Sequence, residues 1–246
     1  MKFPTLKLSI VALSMVFFTA SMMVGTASAN MTVSPMKMSV GGESNAPGVI
    51  RVFSKSEETQ YIKVYVKRVL DPAMPDEREE DAVAWNGKEL VVSPAKFALP
   101  AGASRAVRVI NFAPPEKEEV YRVYFEGVDA PQDDDSSGNA GDRGAKVSVN
   151  VVWGALVRAR PAKAAPDFKR VGNMLHNTGN TRIAVSVWGK CTGPSDDVCA
   201  WQPIEKSVFP GGTLALPAEA STGPIRLKFQ VDGVRGTQVK DLSALD

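Results

Sequence analysis

Apolar and polar positions alternate with period two along most of this chain, and turn residues interrupt the alternation at short intervals. Residues 60–70 are a clear case. Tyr61, Lys63, Tyr65 and Lys67 fall on one face, and Ile62, Val64, Val66 and Arg68 on the other, so the aliphatic face points to a core. Residues 49–54, 90–92, 96–99, 104–112 and 121–128 read as further strands. Residues 31–40 form another, with Pro35 inside it. Proline removes a ladder donor, so this strand lies at an edge, carries a bulge or switches sheets. Residues 71–81 are polar and acidic and contain Pro72 and Pro75, which reads as a loop. Seven strands at this spacing within about 130 residues predict an immunoglobulin-like sandwich. No segment longer than a few residues has a helical period.

A long strand over 145–161 follows. In it Ala145, Val147, Val149, Val151 and Trp153 alternate with Lys146, Ser148, Asn150 and Val152, so one face is an unbroken apolar row. Residues 129–144, just before it, include three consecutive aspartates and three glycines. That composition predicts mobility, either of a segment that orders on a partner or of a tolerated insertion. An apolar row beside such a loop and near a domain junction marks a strand that can be lent to another chain. Arg160 to Pro166 then reads as a semi-rigid linker. Residues 168–175, 182–188, 212–216 and 225–231 are strand candidates beyond it, with a turn at 177–180. The expectation is all-β, with one sandwich over 30–160 and a smaller one over 161–246.

The first 29 residues change the setting. Lys2 and Lys7 precede an apolar run, and Ala27-Ser28-Ala29 is a small-x-small cleavage site, so 1–29 reads as a signal peptide cut after Ala29. A membrane anchor is the competing reading, opposed by the well-formed cleavage site and the polar residues after it. Cleavage leaves 217 residues (246 less 29) and 27 of the 29 basic residues against 27 acidic ones. A net charge near zero argues against bulk nucleic-acid binding. Cys191 and Cys199 are the only cysteines, and an oxidising compartment favours their pairing as a disulfide. Two cysteines and the single His176 make a poor metal site. One histidine beside a turn is also a poor start for a Ser-His-Asp arrangement, so the chain does not read as an enzyme and no cofactor is implied.

Taken together, the segments 51–72 (RVFSKSEETQYIKVYVKRVLDP), 99–109 (LPAGASRAVRV), 116–128 (EKEEVYRVYFEGV) and 147–161 (VSVNVVWGALVRARP), with Cys191 and Cys199, resemble the periplasmic chaperones of the chaperone/usher pathway. The resemblance is nearest to the branch serving class 5 colonisation-factor fimbriae. It implies two immunoglobulin-like domains set in an L, and donor-strand complementation of fimbrial subunits, pilins or a tip adhesin. The folded subunit is then passed to an outer-membrane usher. It also leaves room for a self-capped homodimer in the free state. On this reading Ala145, Val147, Val149, Val151 and Trp153 form the donor row. Three buried valines contribute about 5–9 kcal/mol gross, before ordering costs.

The resemblance also implies a pair of cations that grip the subunit's C-terminal carboxylate. The first falls on Lys37. The second falls on Leu156, which carries no charge, so Arg158, two positions on, is expected to serve, with Arg51 and Arg122 in reserve. The rival identities are a fimbrial structural subunit or another secreted adhesive module. A subunit would lack its own last strand, whereas here the 145–161 strand is present and more chain follows it.

Overall fold

The computed structural model describes residues 30–82, 90–130 and 150–243. Two sheets enclose the first core. One is antiparallel and runs in the order β1 (Met31–Ser34), β3 (Gly48–Ser54), β8 (Ser104–Asn111), β6 (Leu90–Ser93). The other runs β2 (Lys37–Gly41), β10 (Trp153–Arg160), β9 (Glu119–Val128), β4 (Gln60–Leu70), β5 (Arg78–Asp81), with β7 (Lys96–Leu99) also on β4. Period two does the sorting. Ile50, Val52, Val107 and Val109 meet Ile62, Val64, Val123, Phe125, Ala155 and Val157 in one core cluster, each large apolar side chain contributing about 1.5–3 kcal/mol.

Pro35 acts as its missing donor requires. The strand expected over 31–40 breaks there and changes sheets, β1 pairing with β3 and β2 pairing in parallel with β10. Gly41, at φ 77°, closes β2 against β10; a Cβ there would lie 2.7 Å from the Arg160 carbonyl oxygen, so only glycine is accommodated.

Three expectations need correction. Residues 71–81 are not all loop: β5 folds back on β4 from Leu70↔Arg78 to Lys67↔Asp81. It covers no core, so it carries no apolar alternation to read. Residues 168–175 are not one strand but the hairpin of β11 (Phe168–Val171) and β12 (Met174–Asn177), reversed at Gly172, whose φ is +61°. The strand expected over 145–161 enters its ladder only at Trp153, and residues 150–152 are unpaired.

The second core lies between two further sheets. One is β11-β12-β15 (Thr213–Ala215). The other is β14 (Cys199–Val208), β13 (Ile183–Cys191), β16 (Ile225–Val231), β17 (Gln238–Leu242). Phe168, Leu175, Ile183, Val185, Trp188, Leu227 and Phe229 fill it. Cys191 and Cys199 are disulfide-bonded and are also register partners at the end of the β13–β14 hairpin. Because the hairpin already closes this short ring, replacing both cysteines with serine is expected to cost about 2 kcal/mol or less and to preserve the fold. A thermal melt with and without reductant checks this; loss of the folded state would show that the bond is essential.

Candidate functional site

The first element of the site is an uncovered strand edge. β9 lines one side of β10 from Trp153↔Phe125 to Ala159↔Glu119. On the other side β2 begins only at Leu156↔Lys37. The Leu156 amide donates to the Met36 carbonyl at 2.8 Å. Peptide groups alternate sides along a strand, so the N–H and C=O of Gly154 point the same way, past the start of β2. An edge of this kind is a template for another strand. Val151 and Val152 continue it with side chains 44% and 42% exposed. Asn150 caps this stretch by donating to the Gly127 carbonyl at 2.6 Å.

Of the expected donor row, Ala145, Val147 and Val149 lie outside the described residues. Val151 is in solvent. Trp153 is partly buried against the protein's own first core, followed inward by Ala155, Val157 and Ala159. The apolar row therefore has two uses: its C-terminal end packs the home sandwich, and Val151 stands beyond it.

The second element is a row of residues across four neighbouring strands of the sheet: Lys67, Arg122, Leu156 and Lys37 are successive register partners, so they share one face. Leu156 packs against Val69, Val120 and Phe209, the last from the turn after β14, which brings the second half of the chain onto this face. Lys37 is exposed and, among the described residues, has no carboxylate partner. Arg122 is paired with Glu77 at 2.9 Å and with Glu79. The Tyr124 hydroxyl donates to Glu79 at 2.9 Å. The Tyr124 ring stacks on Tyr65, centroids 5.2 Å apart, and covers Gly154, where a Cβ would come within 3.0 Å of the ring. Burial, then the hydrogen bond to Glu79, pushes the Tyr124 hydroxyl up, so it stays a neutral donor. Burial pulls Arg122 down, but its bonded partners Tyr124 and Glu79 outweigh that and hold it above its ordinary value.

Arg158 and Arg51 are elsewhere. Arg158 contacts Asp232 and lies 3.4 Å from Glu118. Glu118 is fully buried at its side chain. It accepts from the Thr181 hydroxyl at 3.0 Å and the Arg182 amide at 2.8 Å. Arg182 in turn pairs with Asp232 at 3.0 Å. Two acids and two arginines thus join the two halves of the chain. Arg51 pairs in register with Ser34 and Ala106 in the other sheet of the first sandwich, pointing away from the core that Ile50 and Val52 fill. That placement removes it as a companion of Lys37: the two strands belong to opposite layers.

The sequence reading missed Glu118, Asp232, Glu77 and Glu79. The two glutamates at 77 and 79 sat in an apparent loop, and Glu118 in a charged turn. Nothing in their local pattern separates them from solvated charge. Among the described residues, no group of three or more His, Cys, Asp or Glu side chains is placed to hold a metal ion.

No family model matches the chain. It is similar to a CS1 fimbrial protein of Escherichia coli, 34% identical over 237 residues that make up 91% of this chain and 95% of that protein. It is similar as well to a CFA/I fimbrial protein of Escherichia coli, 33% identical over 86% of this chain and 90% of that one. Among solved structures it resembles the class 5 fimbriae chaperone CfaA, with 29% identity, a TM-score of 0.71, and coverage of 88% of this chain and 100% of that one. A chain from a chaperone–tip adhesin complex of CFA/I fimbriae biogenesis matches with 30% identity and a TM-score of 0.70, over 87% of this chain and 99% of that one.

Proposed function

Because the chain belongs to the chaperones of class 5 fimbriae, we propose that it captures fimbrial subunits through the open edge of β10 and the valines that precede it. Its family makes it a fimbrial chaperone and not a structural subunit. In agreement with that, β10 is present and closes the first core, whereas a subunit would lack its last strand.

The observation that carries the mechanism is the pairing gap beside Gly154, continued by exposed Val151 and Val152. A subunit strand laid on this edge gains ladder hydrogen bonds, and alternate side chains from Ala145 to Val151 enter its open core. Trp153 ends the row against the home core. Lys37 stands at the start of β2, beside the place where the borrowed strand begins, and meets the subunit's C-terminal carboxylate. Arg158 serves the domain junction first. No catalytic step is involved. Residues 30–160 form the capturing domain and 161–246 the second domain that bounds the cleft. Export through cleavage after Ala29 places the protein in the periplasm, where an outer-membrane usher receives the complex. Before capture, the same apolar edge on a second copy can cap the first, giving a homodimer.

The test is periplasmic co-expression of the mature chain with fimbrial subunits from a class 5 gene cluster. The expected result is a stable one-to-one complex, with the subunit degraded when expressed alone. Absence of any complex across several such subunits overturns the reading. In the same assay Lys37→Ala is expected to weaken capture by about tenfold, the loss of one charge-assisted hydrogen bond. It should leave the free protein's melting temperature unchanged. Unaltered capture by that variant removes Lys37 from the anchor.

A further inference from the structure

We propose that Glu77 and Glu79 are internal carboxylates that hold Arg122 ready, and that a subunit's C-terminal carboxylate replaces Glu77 on it. Arg122 then becomes the second cation of the cleft. This rests on the carboxylate reading of Lys37 above and assigns the position that Leu156 leaves without charge.

Geometry selects Arg122. It and Lys37 are the two register neighbours of Leu156, so the cations flank one apolar residue from either side. Their backbones stand two strand spacings apart, roughly 10 Å. Both side chains are long enough to meet above Leu156 on a single carboxylate. Leu156, with Val120, Val69 and Phe209 around it, offers an apolar floor. The site therefore suits a chain terminus whose last side chain is apolar.

The two glutamates are placed for holding and release. Both belong to the returning hairpin of β4 and β5, and in register Glu79 faces Val69 on β4. To reach Arg122 its side chain passes over β4 to β9, one strand further. Glu79 is the anchored member. Its side chain is 20% exposed, and it takes hydrogen bonds from both Arg122 and Tyr124. Glu77 is the detachable one, 31% exposed, and its only recorded hydrogen bond within this cluster is to Arg122 Nη2, at 2.9 Å. Two carboxylates on one guanidinium also repel each other. An incoming carboxylate that takes the place of Glu77 therefore keeps the number of charges on Arg122 constant and lets Glu77 turn into solvent, where an exposed ion pair is worth little. Arg122 has five N–H donors in a planar fork, so Glu79 and the newcomer fit together.

The experiment titrates the mature chain with N-acetyl-leucine and with N-acetyl-leucinamide, followed by NMR. The two probes differ only in the terminal charge. Glu77→Gln is expected to bind the acid about fivefold more tightly than wild type and the amide equally. Arg122→Gln is expected to abolish the preference for the acid, alone and combined with Glu77→Gln, with an unchanged melting temperature. If Glu77→Gln leaves acid binding the same or weaker while Lys37→Ala still weakens it, the internal-carboxylate proposal is wrong and the carboxylate anchor survives. If Lys37→Ala and Arg122→Gln both leave the acid preference intact, the proposal falls together with the anchor itself.

Discussion

Replacing Val151 with aspartate is expected to abolish subunit capture while the free chaperone folds as before. The two halves of this expectation come from different observations. Val151 is 44% exposed and outside any ladder, and exposed positions without special contacts usually change stability by less than about 0.5 kcal/mol. In the complex the same side chain is to be buried in the subunit's open core. Its loss removes about 1.5–3 kcal/mol, and a carboxylate in an apolar groove costs several kcal/mol more. A total near 4 kcal/mol is about a thousandfold in affinity, enough to lose the complex in co-purification. Val171→Asp is the matched control, since Val171 is 62% exposed on β11 in the second half of the chain and should not matter. Val149→Asp should behave like Val151→Asp. Normal capture by Val151→Asp would show that the segment before β10 is not the donor.

The strands of the first sandwich were legible because each has one face in a core. Residues 60–70 and 104–111 alternate, and their aliphatic members are the buried ones. Pro35 announced a break, and the chain breaks there. Legibility fails where an element has no core to face. β5 is all charged and exists because β4 is long enough to be paired beyond the sandwich. It fails again where burial is polar. Arg170 is fully buried, its guanidinium donating to the carbonyls of Gly172 and Gly223 at 2.8 Å each, yet it sits in a sequence that looks like any strand with one face in water. The cleft divides along the same line. That β2 and β10 would be neighbours followed from the resemblance. That Arg158 is engaged by Glu118 and Asp232, or that Arg122 and Lys37 flank Leu156, depends on register and on contacts between distant segments, which no local pattern encodes.

Arg158→Ala is expected to lower the melting temperature of the free protein by about 5–10 °C, because it destroys a charge balance. Glu118 and Asp232 are matched by Arg158 and Arg182. Without Arg158 the network carries one uncompensated negative charge, with Glu118 fully buried. Removing one member of a buried pair costs about 3–5 kcal/mol. Arg158 and Asp232 keep 19% and 25% exposure at their side chains, so about 2–4 kcal/mol is the reasonable range, at roughly 2–4 °C per kcal/mol for a chain of this size. Arg158→Lys keeps the charge but not the planar fork that reaches two acids, and should fall between. The double variant Arg158→Ala/Glu118→Ala restores the balance of charge and should cost less than the sum of the two single changes. Subunit capture by Arg158→Ala would then fall because the two halves lose their fixed relation, and in proportion to that loss of stability. A variant that melts normally yet captures poorly, as Lys37→Ala is expected to do, would instead make Arg158 a direct ligand of the subunit's carboxylate. The contacts to Glu118 and Asp232 would then be a resting position that it leaves on binding.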